Sequence, residues 1–310
     1  MSKQTEKLFK DFNKFIEEND NDELKDEKDL KNMLDIFMSQ YQPAMADALY
    51  ENNAKDSYDF LELAETASTK KDALKYVKKA VELDRGNLDA LAMEAELTAA
   101  TNEKLAEKYK KLIEAADKSL DGQGYFNDEY VGEFWLITET RPYMRLLNSY
   151  ASLLTECGQL RLAETVYKNM LRLCINDNLG VRYRLMHIYA YFEDEQSAAE
   201  LYKDYPEDDS TQFLLPMSIL YYKLGNLREA AKYLKMLCEV NDDTYKFFKY
   251  VTTGDTEKIA VNMNPYGYRP YTIEEFIVES EENHFLFIGS SSYFVWAQQK
   301  LKEIKRKAKK

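Results

Sequence analysis

Gly158-Gln159-Leu160-Arg161-Leu162-Ala163-Glu164-Thr165-Val166-Tyr167 has a second copy of its pattern 67 residues later, in Gly225-Asn226-Leu227-Arg228-Glu229-Ala230-Ala231-Lys232-Tyr233-Leu234. Both read Gly-x4-Ala-x3 followed by a large side chain. An interval of this length holds two units of about 34 residues, each a helix, a turn and a second helix. A third unit should lie between them, and Ala198 in Gln196-Ser197-Ala198-Ala199-Glu200-Leu201 stands near the required place. Upstream, Ala73 and Ala106 are 33 residues apart. Seven positions beyond the small residue come Ala80, Ile113, Met170 and Leu237. Two helical turns separate the members of each pair, so both fall on one buried face. A small residue there lets the neighbouring helix approach closely.

Composition agrees with a chain of helices. Only 10 Gly and 6 Pro occur in 310 residues, too few turn formers for an all-β or α/β chain of this size. A net charge of -13 argues against a nucleic-acid binder, because neutralising phosphates needs a basic surface. Three irregularly spaced Cys make neither a disulfide framework nor a four-Cys zinc site. No apolar run reaches membrane-spanning length, and Met1-Ser2-Lys3-Gln4-Thr5-Glu6 lacks a signal-peptide core, so a cytoplasmic protein without a membrane span is expected.

The pattern predicts five helix pairs, at about 56–67 with 70–83, 88–99 with 103–119, 141–156 with 160–174, 178–192 with 195–204, and 209–223 with 227–240. Residues 51–250 are thus read as tetratricopeptide-like repeats, interrupted at 121–140 by an insertion rich in Gly and aromatic residues. Residues 1–50 supply an N-terminal helical cap from two amphipathic helices, parted by the charged stretch Glu17 to Asp29. Residues 251–310 supply a C-terminal cap, with a Pro/Gly/aromatic link at Asn264–Tyr271, a capping-box spacing at Thr272 and Glu275, and a basic tail from Lys300 to Lys310. The expected fold is all-α, a tetratricopeptide-like helical-repeat solenoid with helical caps at both ends.

Catalytic chemistry is poorly supplied. Gly122-Gln123-Gly124 lacks the third Gly and the Lys of a phosphate cradle, and Gly289-Ser290-Ser291-Ser292 lacks the flanking Gly of a nucleophile elbow. His187 and His284 are the only histidines, too few for a zinc centre and far apart in sequence. His187 lies between Met186 and Ile188 and reads as a packing residue, as do Cys157, Cys174 and Cys238. No catalytic residue, metal ligand or cofactor is expected.

One constellation stands out. Glu139-Thr140-Arg141-Pro142-Tyr143-Met144-Arg145 opens the first helix of one repeat, and Asn176-Asp177-Asn178-Leu179-Gly180-Val181-Arg182-Tyr183 opens the next. Thr140 suits a helix cap, Pro142 a first turn, and Asp177 or Asn178 a second cap. Arg141 and Arg145 share a face, and Arg182 would join them from the neighbouring first helix. Arg141, Tyr143, Arg145, Asn178 and Arg182 are therefore the candidate partner-binding residues. Against this stands a bracing role, in which the arginines pair with Glu133 or Glu139 and tie down the insertion.

Trp135, the Glu139–Arg145 run and the Asn176–Tyr183 run resemble a family of bacterial tetratricopeptide proteins related to the suppressor of tumorigenicity 7 proteins, most specifically over 130–185. Ile175 or Asn176 stands where a repeat usually closes with Pro. The resemblance implies a soluble helical-repeat protein and brings no enzymatic activity or cofactor with it. The expected function is protein–protein interaction, with a protein segment or peptide in the concave groove and the arginines gripping a carboxylate or other anion. The alternatives are a peptide- or ligand-sensing regulator, disfavoured because 1–50 is acidic and lacks a DNA-binding helix set, and a helical hydrolase using carboxylates or His284.

Overall fold

Gly158 and Gly225 end helices in the left-handed conformation, at φ +72° and +75°. After the second helix, the Gly225 N–H bonds Tyr222 O at 3.0 Å and the Asn226 N–H bonds Tyr221 O at 2.9 Å. This pair of reversed bonds satisfies carbonyls that the helix leaves open, and glycine reaches the required φ without strain. The repeated glycine is thus a stop signal. The structure is a computed structural model that describes residues 3–19, 27–45, 49–255 and 268–308.

The described chain is all-α. Its only β pairing is the pair of isolated bridges that Gly132 and Glu133 make with Cys174. It divides into two units, one of residues 1–157 with 172–178, the other of 158–171 with 179–310.

In the first unit, helices α1 (Lys3–Asn19) and α2 (Glu27–Met45) precede the pairs α3 (Ser57–Glu65) with α4 (Lys70–Leu83) and α5 (Leu88–Thr98) with α6 (Asn102–Gly122), and α7 (Arg141–Glu156) follows. Asn87 caps α5 through Ala90 N–H as expected, and Thr69 and Thr101 cap α4 and α6. Each cap satisfies an orphan amide and contributes about 1 kcal/mol. Phe60, Leu61 and Ala64 of α3 pack with Val77 and Ala80 of α4 and Ala90 of α5. Ala95, Tyr109, Leu146 and Leu153 continue the core through α5, α6 and α7. The cap helices meet through Phe12 and Phe37, with ring centroids 5.3 Å apart, and Lys7 joins α1 to Asp56 and Asp59 at the start of α3.

In the second unit, α8 (Leu160–Leu173, its last two residues counted with the first unit) is followed by α9 (Val181–Phe192) with α10 (Glu195–Asp204), then α11 (Thr211–Lys223) with α12 (Leu227–Val240). Ala163, Ala198 and Ala230 are all fully buried, as are Tyr167 and Leu234. Helix α13 (Thr244–Thr253) extends the array one helix past the last pair predicted. A hydrogen bond explains why. Asn241 Nδ2 donates to Thr211 Oγ1 at 3.1 Å, just as Asn87 Nδ2 donates to Ser57 Oγ at 2.8 Å in the first unit. In both, a buried Asn at the end of one pair ties the next first helix to the start of the previous one.

Helices α14 (Ile273–Glu282), α15 (His284–Ile288) and α16 (Ser291–Ala308) complete this unit. The Thr272–Glu275 capping box forms one position out of register. Thr272 accepts from Glu274 N–H at 3.3 Å while the Glu275 carboxylate takes the Tyr271 N–H at 2.8 Å. Most of the Glu17–Asp29 charge run, the Asn264–Gly267 part of the link, and Lys309 and Lys310 fall outside the described residues.

Candidate functional site

Helix α7 positions three of the five candidate residues. Pro142 occupies its first turn, where the missing N–H costs nothing. Thr140 precedes the helix without capping it. Its hydroxyl donates instead to the carbonyls of Phe134 and Ile137, because the insertion folds back over this end and offers buried acceptors. The same insertion is pinned by Gly132 and Phe134 N–H groups, each 3.0 Å from Leu173 O, and by Ile175 N–H on Gly132 O at 2.9 Å. Gly132 is required there at φ +108°. Phe134 is wholly buried against Phe126 and Tyr143.

Arg145 is held by two carboxylates at once. Its Nε and Nη2 donate to Asp89 at 2.8 and 2.7 Å, and Nη1 and Nη2 donate to Glu6 at 2.8 and 2.9 Å. Asp89 and Glu6 are buried. Desolvation disfavours the Arg145 charge, but the two carboxylates outweigh it and raise the pKa further. Arg141 is buried too. Its Nε donates to Trp135 O at 2.6 Å, its guanidinium lies 5.8 Å from the Trp135 ring centroid, and Nη1 is 3.7 Å from Glu6. Glu6 and Asp89 engage these arginines, whereas Glu133 and Glu139, the partners expected from sequence, are exposed. One buried and one half-buried cation face two buried anions, which is the condition for tolerating such charges away from water.

Tyr143 is buried and donates its hydroxyl to Asp117 at 2.5 Å. Burial, and then that acceptor, raise its pKa, so it stays a donor. The ring lines a cleft of about 300 Å³ in this unit. Leu88, Leu91 and Leu112 contribute apolar lining, together with Ala115 and Ala116, while Lys10, Asp84, Arg85 and Glu139 supply charge. No single stretch of sequence reveals this cleft, because α1, α3, α5, α6 and α7 each contribute only fragments. Arg85, an exposed cation in an acidic chain, was the signal available.

Asn178 is exposed and accepts from Cys174 Sγ at 3.3 Å. Neither Asp177 nor Asn178 caps α9. Gly180 holds the N-cap position at φ +67° and, having no side chain, offers the helix no capping oxygen.

Arg182 belongs to the second unit. Its Nε donates to Asp208 at 2.8 Å and Nη2 bonds Tyr183 Oη at 2.5 Å. The guanidinium lies 4.1 Å from the Tyr183 ring centroid and 5.1 Å from that of Tyr205. Asp208 is itself held below the usual carboxylate range: burial works against its charge, but Ser210, Arg182 and Tyr183 more than compensate. Arg182, Tyr183 and Tyr205 line an open depression with Asp204, Glu207 and Asp208.

Among the described residues, no group of three or more His, Cys, Asp or Glu is arranged to hold a metal ion. No described helix is long and apolar enough to cross a membrane. Cys174 is buried, and burial pushes the Cys238 thiol up to about 11, away from reactivity.

No protein-family model matches the chain, and neither does any curated protein. Among solved structures it is similar to YrrB, described as a TPR protein with an unusual peptide-binding site. The two are 16% identical, the match covers 73% of this chain and 89% of that one, and the TM-score is 0.37. The helix pairs, their buried small residues and their Asn ties carry the fold assignment.

Proposed function

We propose that this chain is a protein-interaction module of the tetratricopeptide kind, and that it binds a segment of a partner protein in the cleft between α5, α6 and α7. The carrying observation is the cleft itself, which combines an apolar lining with Lys10, Asp84, Arg85 and Glu139. Such a lining suits an apolar side chain, with the charges fixing its orientation. Tyr143 contributes a wall of this site. Arg182 and its tyrosines offer a second contact in the other unit. In this reading Arg141 and Arg145 are braces, since Glu6, Asp89 and Trp135 O already engage their guanidinium groups. The activity is non-enzymatic and the setting cytoplasmic. The kinship with bacterial relatives of the suppressor of tumorigenicity 7 family rests on the Trp135 to Tyr183 residues and is part of the same proposal.

The test is Ala116→Trp, which fills the cleft from α6, compared with wild type in a pull-down from native cytosol. Loss of a wild-type partner with unchanged helical circular dichroism is the expected result. Identical partners on both baits overturn the cleft as the binding site.

A further inference from the structure

His187 on α9 and Glu279 on α14 are both 0% exposed, and Nε2 of the imidazole lies 2.9 Å from Oε1 of the carboxyl. The other ring nitrogen, Nδ1, is 2.7 Å from the Tyr183 carbonyl. A carbonyl only accepts, so Nδ1 carries hydrogen and Nε2 of the neutral ring presents a lone pair. A neutral imidazole and an ionised carboxylate would then set two acceptors against each other. One proton must lie between them.

The surroundings say where it resides. Glu279 Oε2 is buried with no hydrogen-bond partner, and the Asn283 amide one turn on donates to the Glu279 backbone carbonyl. A carboxylate there would have no donor other than His187, so the neutral acid donating O–H to Nε2 is the favoured form. Burial acts the same way on both, raising Glu279 well above its usual range and pushing His187 down to about 3. The nearby ionisable groups do not offset this. On α14, Glu275 and Glu282 oppose a charge on Glu279, and Arg184 on α9, ion-paired with Glu282 at 2.7 Å, opposes one on His187. Tyr293 from α16 and Tyr268 before α14 face the carboxyl as neutral phenols, and α15 contributes the Phe287 ring stacked on His187 at 6.2 Å.

We propose that the single proton shared by Glu279 and His187 is a latch holding α14 against α9, and that its loss at alkaline pH opens the C-terminal helices of this unit. It is independent of the partner cleft, whose residues belong to the first unit. The closed pair holds one proton across the neutral range. An opened pair, with the ordinary values of 4.5 and 6.5, holds two protons below the first, one between them and none above the second. Stabilisation by the pair is therefore flat between those values and falls on both sides. Above pH 6.5 each unit favours opening by about tenfold, the linkage of one proton. Opening bares the face of α9 where the His187 and Tyr191 rings pack against Phe287 and Phe285 in the closed form.

The experiment is hydrogen–deuterium exchange on the full chain between pH 5.5 and 9, normalised for the intrinsic pH dependence of amide exchange, in wild type and Glu279→Gln. The glutamine amide donates to Nε2 at every pH and does not titrate. Normalised exchange in 273–308 should rise about tenfold per pH unit above 6.5 in wild type and stay flat in the variant. Parallel profiles, or flat exchange in wild type, overturn the latch. If the variant does not fold, imidazole 15N shifts of wild-type His187 decide. A neutral Nδ1–H ring at pH 6 supports the latch, and an imidazolium overturns it.

Discussion

Arg145 reaches back 139 positions to Glu6 and forms a two-pronged ion pair with it, Nη1 at 2.8 Å and Nη2 at 2.9 Å. The contact fastens the N-terminal helix α1 to the start of α7, and Asp89 at the start of α5 joins the same guanidinium. Three helices meet at one side chain.

Replacing Arg145 therefore tests structure before recognition. Arg145→Lys keeps the charge and loses the planar fork, with an expected cost of about 1–3 kcal/mol. Arg145→Met strands two buried carboxylates and should cost about 3–5 kcal/mol. Denaturant midpoints check both values. If Arg145→Lys instead keeps wild-type stability but loses a protein partner, the bracing assignment fails.

The Asn ties are a second target. Asn87→Ala removes both the Ala90 cap and the bond to Ser57, a buried pair, and should lower stability by about 1–3 kcal/mol. Asn241→Ala removes the equivalent bond to Thr211, together with one to the Thr272 carbonyl. Comparable losses in both variants are expected from urea titration, whereas an effect at only one position would break the equivalence.

Gly225 isolates backbone strain from packing. A Cβ there would meet no atom within 4 Å, so Gly225→Ala is penalised only by φ +75°, by about 1–2 kcal/mol. Ala230→Leu does the reverse, crowding a fully buried site in ordinary helix at about 1–3 kcal/mol. Thermal denaturation that leaves either variant unchanged contradicts the repeat alignment.

Nucleic acid offers a negative control. With a net charge of -13, only weak binding through the C-terminal lysines is expected, lost as salt rises to physiological strength. Salt-resistant, sequence-dependent retardation of a DNA probe would favour the regulator alternative.

Local periodicity alone placed 70–83, 141–156, 195–204 and 227–240 to within a residue of their observed bounds. A helix's apolar stripe, its Gly stop and its Asn or Thr cap are all written within a few positions of one another. The small buried residues, Ala73, Ala163, Ala198 and Ala230, were legible for the same reason. Tertiary structure decided what the charged groups do. The arginine spacing was visible, but the buried acceptors were Glu6 and Asp89, in helices that no local pattern links to α7. Thr140 looked like a cap until the fold brought Phe134 O to its hydroxyl, and Asp177 and Asn178 yielded the N-cap to Gly180. His187 read as packing from its apolar neighbours, and burial bears that out, yet its facing carboxyl lies 92 positions away. A helix face is encoded by its own residues, whereas a hydrogen-bond partner is chosen by which distant surface arrives, and desolvation then makes that choice binding.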